Sequence, residues 1–280
     1  MNGIVILNKP CGLSSNTACR KVGKLLGEKK VGHLGTLDPM AEGVLPITLG
    51  KCTKLFDYYL KKEKTYIAEF TFGYETDTLD IEGQIIANGG KIPTSEEILQ
   101  VLPQLCGDIA QVPPKYSAKK INGKRAYDLA RENINFELKA KNVTIYKLEL
   151  LEQVRNNVYK FLIECSAGTY IRSIARDLAC KLRTYAIMSK LTRTKCGEFT
   201  IENSHTFDSI NENIVITPNK LLGDNVINID EIIYKEVYNT GYINLLSNGE
   251  NQLFLVKFND VDFGIATQFD GKYKLIIRFI

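Results

Sequence analysis

Val31-Gly32-His33-Leu34-Gly35-Thr36-Leu37-Asp38-Pro39-Met40-Ala41-Glu42-Gly43-Val44-Leu45-Pro46 is the stretch on which the reading of this chain turns. Three glycines and two prolines in sixteen residues are poor material for a helix or a central strand, so a loop is expected. A backbone with so many fixed or permissive positions usually presents something. The side chains with chemistry are Asp38 and His33, one of only two histidines in the protein. Taken alone, an Asp before a Pro more often starts a turn than a reaction.

Working outward, residues 1–10 read as a strand ending at Pro10. Ser14-Ser15 can cap a helix whose apolar positions, Ala18, Val22, Leu25 and Leu26, run up to Gly27. Its other face carries Arg20, Lys21 and Lys24, and Lys29 and Lys30 follow. Residues 53–60 read as a short helix. Residues 64–74 read as a strand that alternates Tyr66, Ala68, Phe70 and Phe72 against Thr65, Ile67, Glu69 and Thr71. Residues 76–84 read as a polar turn, and 93–102 as a helix capped by Thr94 or Ser95. Residues 111–125 hold Pro113-Pro114 and then Lys115, Lys119, Lys120, Lys124 and Arg125, a basic segment suited to RNA or to a plain surface loop.

A short helix is expected at 126–131, paired strands at 143–151 and 158–166, and a strand at 185–194. Ile171, Ile174, Ala175, Leu178, Ala179 and Leu182 fit one face of a helix. From about residue 225 the character changes to an acidic helical piece, 230–238, and three strands at 253–258, 261–268 and 273–279. The expectation is a mixed α+β chain: a main domain over 1–225, with an RNA-contacting insertion at about 110–130, and a small β-rich domain over 226–280.

Composition removes several classes. At 280 residues, 44% hydrophobic and 24% charged, the chain is ordinary globular material with enough length for a large core. No apolar run reaches the roughly 18–20 residues of a membrane span, and the N-terminus lacks the basic start of a signal peptide, so a cytoplasmic protein is expected. The seven cysteines show no C-x-x-C spacing and are odd in number, which argues for reduced, mostly buried thiols rather than disulfides or zinc. Two histidines and no acidic cluster of calcium-loop spacing leave no obvious metal site. The nearest approach to a phosphate loop, Gly43 with Gly50-Lys51-Cys52, has the wrong spacing and lacks the hydroxyl. No G-x-S-x-G elbow occurs. Residues 203–280 hold six Lys/Arg against ten Asp/Glu, whereas residues 1–202 hold thirty against twenty-two. An anionic partner would therefore bind the first two hundred residues.

Distant segments give Asp38 its meaning. Gly32-His33-Leu34-Gly35-Thr36-Leu37-Asp38-Pro39 with Gly43-Val44-Leu45-Pro46 resembles the catalytic motif of the bacterial tRNA pseudouridine-55 synthases, the TruB family. Asn8-Lys9-Pro10 with Gly12-Leu13-Ser14-Ser15 resembles that family's first motif, and Lys64-Thr65-Tyr66 its Lys-x-Tyr motif. Pro113-Pro114-Lys115-Tyr116-Ser117-Ala118-Lys119-Lys120 resembles its flexible RNA-clamping insertion. Gly168-Thr169-Tyr170-Ile171-Arg172-Ser173 and Leu191-Thr192-Arg193-Thr194 resemble its last two motifs. The likeness covers roughly residues 1–200. Leu34 stands where many members carry a small or polar residue, and the acidic C-terminal region is only a loose match to the family's PUA-like RNA-binding domain.

The resemblance implies the pseudouridine-synthase fold, a large antiparallel sheet flanked by helices and loops, and isomerisation of uridine 55 in the tRNA T-loop. It implies no cofactor and no metal, and a monomer is expected. Asp38 would be the catalytic carboxylate, paired with Arg172. Tyr66 would lie flat against the uracil, His33 would fill the gap left by the flipped base, and Tyr170 and Leu191 would line the pocket. Lys9 and Pro10 would shape its wall, and Lys115, Lys119 and Lys120 would hold phosphates of the T-arm. Two other readings stand beside this one: a guide-RNA-dependent pseudouridine synthase working inside a ribonucleoprotein, and a non-catalytic tRNA-binding or folding chaperone.

Overall fold

The protein is described from a computed structural model, which covers every residue except Ala118, Asn122, Asn133, 247–251 and Ile280, and the side chains of Lys120 and Arg125. The chain opens with β1 (Gly3–Lys9), α1 (Ser15–Leu25), β2 (Val31–His33) and β3 (Glu42–Leu49). It continues through α2 (Phe56–Leu60), β4 (Lys64–Phe72), β5 (Tyr74–Thr76), β6 (Ile85–Asn88), α3 (Ser95–Val101) and β7 (Gly107–Gln111). Two-residue strands β8 (Lys120–Ile121) and β9 (Lys124–Arg125) precede α4 (Ala126–Arg131). Then come β10 (Lys141–Arg155), β11 (Val158–Cys165), α5 (Ile171–Lys181), β12 (Ala186–Cys196) and β13 (Phe199–Thr200). The last part holds α6 (Pro218–Leu222), β14 (Val226–Ile229), α7 (Glu231–Thr240), β15 (Tyr242–Ile243), β16 (Leu253–Phe258), β17 (Val261–Phe269) and β18 (Lys272–Arg278).

Nine strands form one sheet in the order β1-β3-β12-β4-β11-β10-β7, with β2 on β3 and β13 on β12. All its pairs are antiparallel but one. β12 meets β3 in parallel, through Thr192↔Glu42 and Arg193↔Gly43. The sheet is thus two antiparallel parts meeting at a short seam.

The period-2 pattern of β1 explains why the sheet is covered on both faces at this end. Val5 and Leu7 join a core with Phe70, Phe72, Phe161 and the apolar stripes of α1 and α5. Ile4 and Ile6 point the other way, into a second core with Val44, Leu55, Phe199, Leu253, Leu255 and Ile265. This second core is where the C-terminal sheet, in the order β14-β16-β17-β18-β15, lies against the large one. The small sheet's other face packs under α7 through Val237, Val256 and Phe263. Asp230 caps α7 by accepting from Ile233 N–H at 2.8 Å, and Gly241 ends it at φ +77°.

The opening stretch corrects one expectation. Its second half is no loop: Glu42–Leu49 is a strand between β1 and β12, nearly all buried. Pro46 removes one ladder donor but still accepts from Leu34 N–H at 2.9 Å. Only the middle, from Leu34 to Ala41, leaves the ladder. The helix expected over 53–60 is a 3₁₀ turn, Gly50–Leu55, followed by α2. The strand expected over 64–74 stops at Phe72, because Gly73 takes φ +107°. The segment 111–125 is not all loop: Gln111 ends β7, and β8 and β9 form a small hairpin. All seven cysteines are free; Cys19, Cys52, Cys165 and Cys196 are buried, and Cys11, Cys106 and Cys180 are exposed. No described helix is long and apolar enough to cross a membrane.

Gly43 shows how tightly the seam is drawn. It sits at φ +102°, and a Cβ there would lie 2.3 Å from the carbonyl oxygen of Arg193. Gly43→Ala is expected to lower stability by about 1–3 kcal/mol, read from the urea unfolding midpoint. An unchanged midpoint would mean that β3 and β12 can part without cost.

Candidate active site

The site is assembled around Arg172, which enters from the first turn of α5 and is only 6% exposed. Its guanidinium has five N–H donors, and acceptors surround it on every edge. Nε lies 3.0 Å from Asp38 Oδ2 and Nη2 donates to Asp38 Oδ1 at 3.2 Å, a two-point grip on the carboxylate. Nη1 lies 3.2 Å from Asp80 Oδ2 and donates to Thr78 C=O at 3.0 Å. Nη2 also donates to Tyr116 C=O at 3.2 Å. Two carboxylates and two carbonyls therefore converge on one buried cation.

Asp38 stands in the loop between β2 and β3. Its loop is anchored by Ser15, whose hydroxyl bonds both the N–H and the C=O of Leu37 at 2.8 Å. Lys9, fully buried, donates to Pro10 and Leu13 carbonyls at 2.9 and 2.8 Å and to Pro39 C=O at 3.3 Å. These partners are carbonyls rather than carboxylates, and burial draws the ammonium below its ordinary pKa. Burial likewise pushes the Asp38 carboxyl above its usual value; Arg172 opposes the shift and Asp80 adds to it.

A second buried arginine holds the other side of the loop. Arg193, 1% exposed, donates to Val44 C=O at 2.7 Å, Gly35 C=O at 3.1 Å and Thr36 C=O at 3.5 Å. Tyr66 is its register partner on β4 and lies against its guanidinium. Burial raises the Tyr66 phenol, so the ring remains neutral. Tyr66 and Leu191 belong to the same buried cluster as Leu37 and Met40, which flank Asp38, and Ile171, which precedes Arg172. Tyr170, just before α5, feels both Arg172 and Asp38 electrostatically. His33 closes β2; burial first, and Arg193 second, lower its pKa, which favours the neutral imidazole.

Among the described residues two buried side-chain polar atoms lack a partner, His33 Nδ1 and Ser117 Oγ. Ser117 lies against the Tyr170 hydroxyl. No group of three or more His, Cys, Asp or Glu among the described residues is placed to hold a metal ion.

Asp38, Arg172, Tyr170, Tyr66 and Leu191 thus gather at the seam, with His33 near Arg193. Of the predicted phosphate-binding lysines, two have described side chains. Lys115 is exposed, Lys119 donates to Lys139 C=O at 2.9 Å, and the Lys120 side chain lies outside the described residues. Asp80 was missed by sequence reading, since residues 76–84 looked like any polar turn. Its Oδ1 accepts from Thr78 Oγ1 at 2.5 Å and Glu82 N–H at 3.1 Å, leaving Oδ2 for Arg172. The mixed signature Thr78-Leu79-Asp80, with Leu79 at φ +61°, carried no period to betray it.

The geometry is that of an enzyme site: a carboxylate held at two points by a buried arginine, close to an aromatic side chain and an apolar cluster. Comparison with known proteins narrows the class. Residues 23–171 match the TruB family pseudouridylate synthase (N terminal domain). The tRNA pseudouridine synthase B of Caldanaerobacter subterraneus subsp. tengcongensis is 39% identical over 257 residues, 90% of each chain. That of Clostridium kluyveri is 36% identical over 282 residues, 99% of this chain and 92% of its own. That of Francisella philomiragia is 46% identical over 214 residues, 76% of this chain and 70% of its own. The fold is that of a solved H/ACA RNP bound to a substrate RNA containing 2'-deoxyuridine (TM-score 0.69, 21% identity, 99% of this chain and 85% of that one). A Cbf5-Nop10-Gar1 complex is similar at TM-score 0.68 and 24% identity, over 98% and 83%. The chain belongs to the TruB family of pseudouridylate synthases, enzymes that isomerise uridine to pseudouridine.

The charges around Asp38 set an expected pH response. For a reaction that needs Asp38 ionised, the acid limb of the rate is expected above about 3.9, the ordinary value for Asp. Asp80→Asn keeps the size and an acceptor for Arg172 but removes a charge that raises the Asp38 pKa, and should move the limb to lower pH. Single-turnover rates from pH 4.5 to 8 check both; a limb that stays put in the variant would show that Asp80 does not act on Asp38.

Proposed function

We propose that this enzyme converts uridine 55 of the tRNA T-loop to pseudouridine with Asp38 as the reacting group. The observation that carries the reading is the two-point grip of Arg172 on the Asp38 carboxylate. The relatives named tRNA pseudouridine synthase B supply the substrate class.

In this reading the target base leaves its stack at a cost of a few kcal/mol. Stacking on Tyr66 returns about 1–3 kcal/mol, and His33 occupies the gap. Tyr170 and Leu191 confine the base. Asp38, ionised and oriented by Arg172, drives cleavage of the bond between uracil N1 and the sugar. The detached uracil turns, C5 joins the sugar, the C5 hydrogen leaves as a proton, and N1, freed from the sugar, takes up a proton in its place. No atoms are gained and no net redox change occurs, so the reaction calls for no group donor. A pocket poor in water keeps the loose base and the sugar intermediate from escaping. Residues 1–225 carry this chemistry, with the segment at about 110–130 laid along the RNA, and residues 226–280 form a PUA-like unit beside it. Lys115, Lys119 and Lys120 neutralise phosphates and set register rather than read sequence.

Asp38→Asn should abolish tritium release from C5-labelled uridine in bare tRNA transcript while leaving the melting temperature and tRNA binding close to wild type. Turnover near wild type would end the assignment of Asp38, and inactivity of the parent enzyme on bare transcript would favour a guide-dependent enzyme. Replacing Lys119 and Lys120 by Ala should weaken binding and flatten its salt dependence by about 0.9 in log–log slope for each phosphate no longer neutralised. An unchanged slope would mean these lysines touch no phosphate.

A further inference from the structure

Tyr170 precedes α5 without a capping side chain of its own. Its backbone is held instead from the edge of the sheet. Tyr170 N–H donates to Gln111 Oε1 at 2.8 Å, and Gln111 Nε2 donates to Tyr170 C=O at 3.2 Å. Gln111 is the last residue of β7, the outer strand of the large sheet, and is 1% exposed. One side-chain amide therefore makes the donor–acceptor pair that a neighbouring strand would make, where loop becomes helix. The chemistry is selective, because an uncharged side-chain amide offers a donor and an acceptor side by side, which an ionised carboxylate cannot.

The same strip of chain holds the rest of the first turn. Val112 C=O accepts from Ser173 Oγ at 2.9 Å and from Arg176 Nη2 at 3.0 Å. Tyr116 C=O accepts from Arg172 Nη2 at 3.2 Å. Of these groups it is Gln111 that fixes the backbone of Tyr170, from which both the Tyr170 ring and, two residues on, the Arg172 guanidinium are launched. None of this belongs to the RNA-facing role that the basic segment 111–125 suggests.

We propose that Gln111 is a positioning residue for the isomerisation: its amide sets the start of α5 so that Tyr170 and Arg172 meet the Asp38 carboxylate in reactive geometry. The inference rests on the reading of Asp38 given above. Gln111 touches neither substrate nor reacting atoms; it acts through two residues that do.

The test uses two variants of the full chain. Gln111→Glu keeps size and the acceptor for Tyr170 N–H but loses the donor to Tyr170 C=O; Gln111→Ala loses both. Under single-turnover conditions each should convert tRNA about 10- to 100-fold more slowly, with tRNA Kd changed no more than about twofold. The acid limb of the rate should also move to higher pH. The titratable and charged groups facing Asp38 are Arg172, Asp80, Lys9, Glu82 and Tyr170; of these Gln111 steers Tyr170, a neutral phenol, and the cation Arg172. A looser Arg172 restrains the carboxyl less against burial. Near-UV circular dichroism and melting give the folded fraction for correction. A folded Gln111→Glu enzyme with wild-type rate overturns the proposal, and so does a slowdown without movement of the acid limb. Should Asp38→Asn retain turnover, the underlying reading fails; should it be inactive while Gln111→Glu behaves as wild type, only this inference fails.

Discussion

Burying a guanidinium is costly unless each of its edges meets an acceptor, and a lone carboxylate cannot cover all of them. Arg172 solves this by drawing in Asp38, Asp80, Thr78 and Tyr116, residues scattered along the first half of the chain. The consequence runs outward. The loop of Asp38, the turn of Asp80 and the start of the basic segment are irregular chain, partly anchored by buried Leu37, Met40 and Leu79. Arg172 ties all three to one another. The half-buried Asp38 carboxylate is held as one of that cation's partners rather than as an isolated charge.

Two further cations support the same loop in a different way. Lys9 and Arg193 are fully buried, and both donate to backbone carbonyls. Oxygens from Pro10, Leu13, Pro39, Gly35, Thr36 and Val44 face them, so the glycine-rich stretch is tied down through its backbone. The positive charge of Lys9 is offset by these dipoles and, at longer range, by Asp38 and Glu42.

The parts of the fold that were legible in the sequence are those with a period. β1, β4, β11 and α5 alternate or repeat as expected, and their boundaries moved by only a few residues. β3 was not legible, because Gly43 and Pro46 argue against a strand when read locally; its burial between β1 and β12 overrides them. The pairing of Asp38 with Arg172, 134 positions apart, followed from motif resemblance and is met in the geometry. Asp80 and Gln111 were not found. Each acts through a contact to a distant backbone or cation, and neither leaves a pattern in its own neighbourhood. Asp80 looked like a turn residue and Gln111 like the first residue of a surface loop.

The parallel seam between β3 and β12 has one more consequence. His33 and Asp38 come from the part of the sheet that precedes it, and Tyr66, Tyr170, Arg172 and Leu191 from the part that follows. The pairs β1–β3 and β10–β11 close from contacts nearer in sequence, whereas β4 must find β11 and β12 through pairs as distant as Lys64↔Cys165 and Lys64↔Cys196, and the seam joins the two parts through only two register pairs. During refolding, helices and the β10–β11 hairpin can therefore form before the carboxylate meets its arginine. Recovery of catalysis is a clock for the last long-range docking step, and it lags behind recovery of the far-ultraviolet signal.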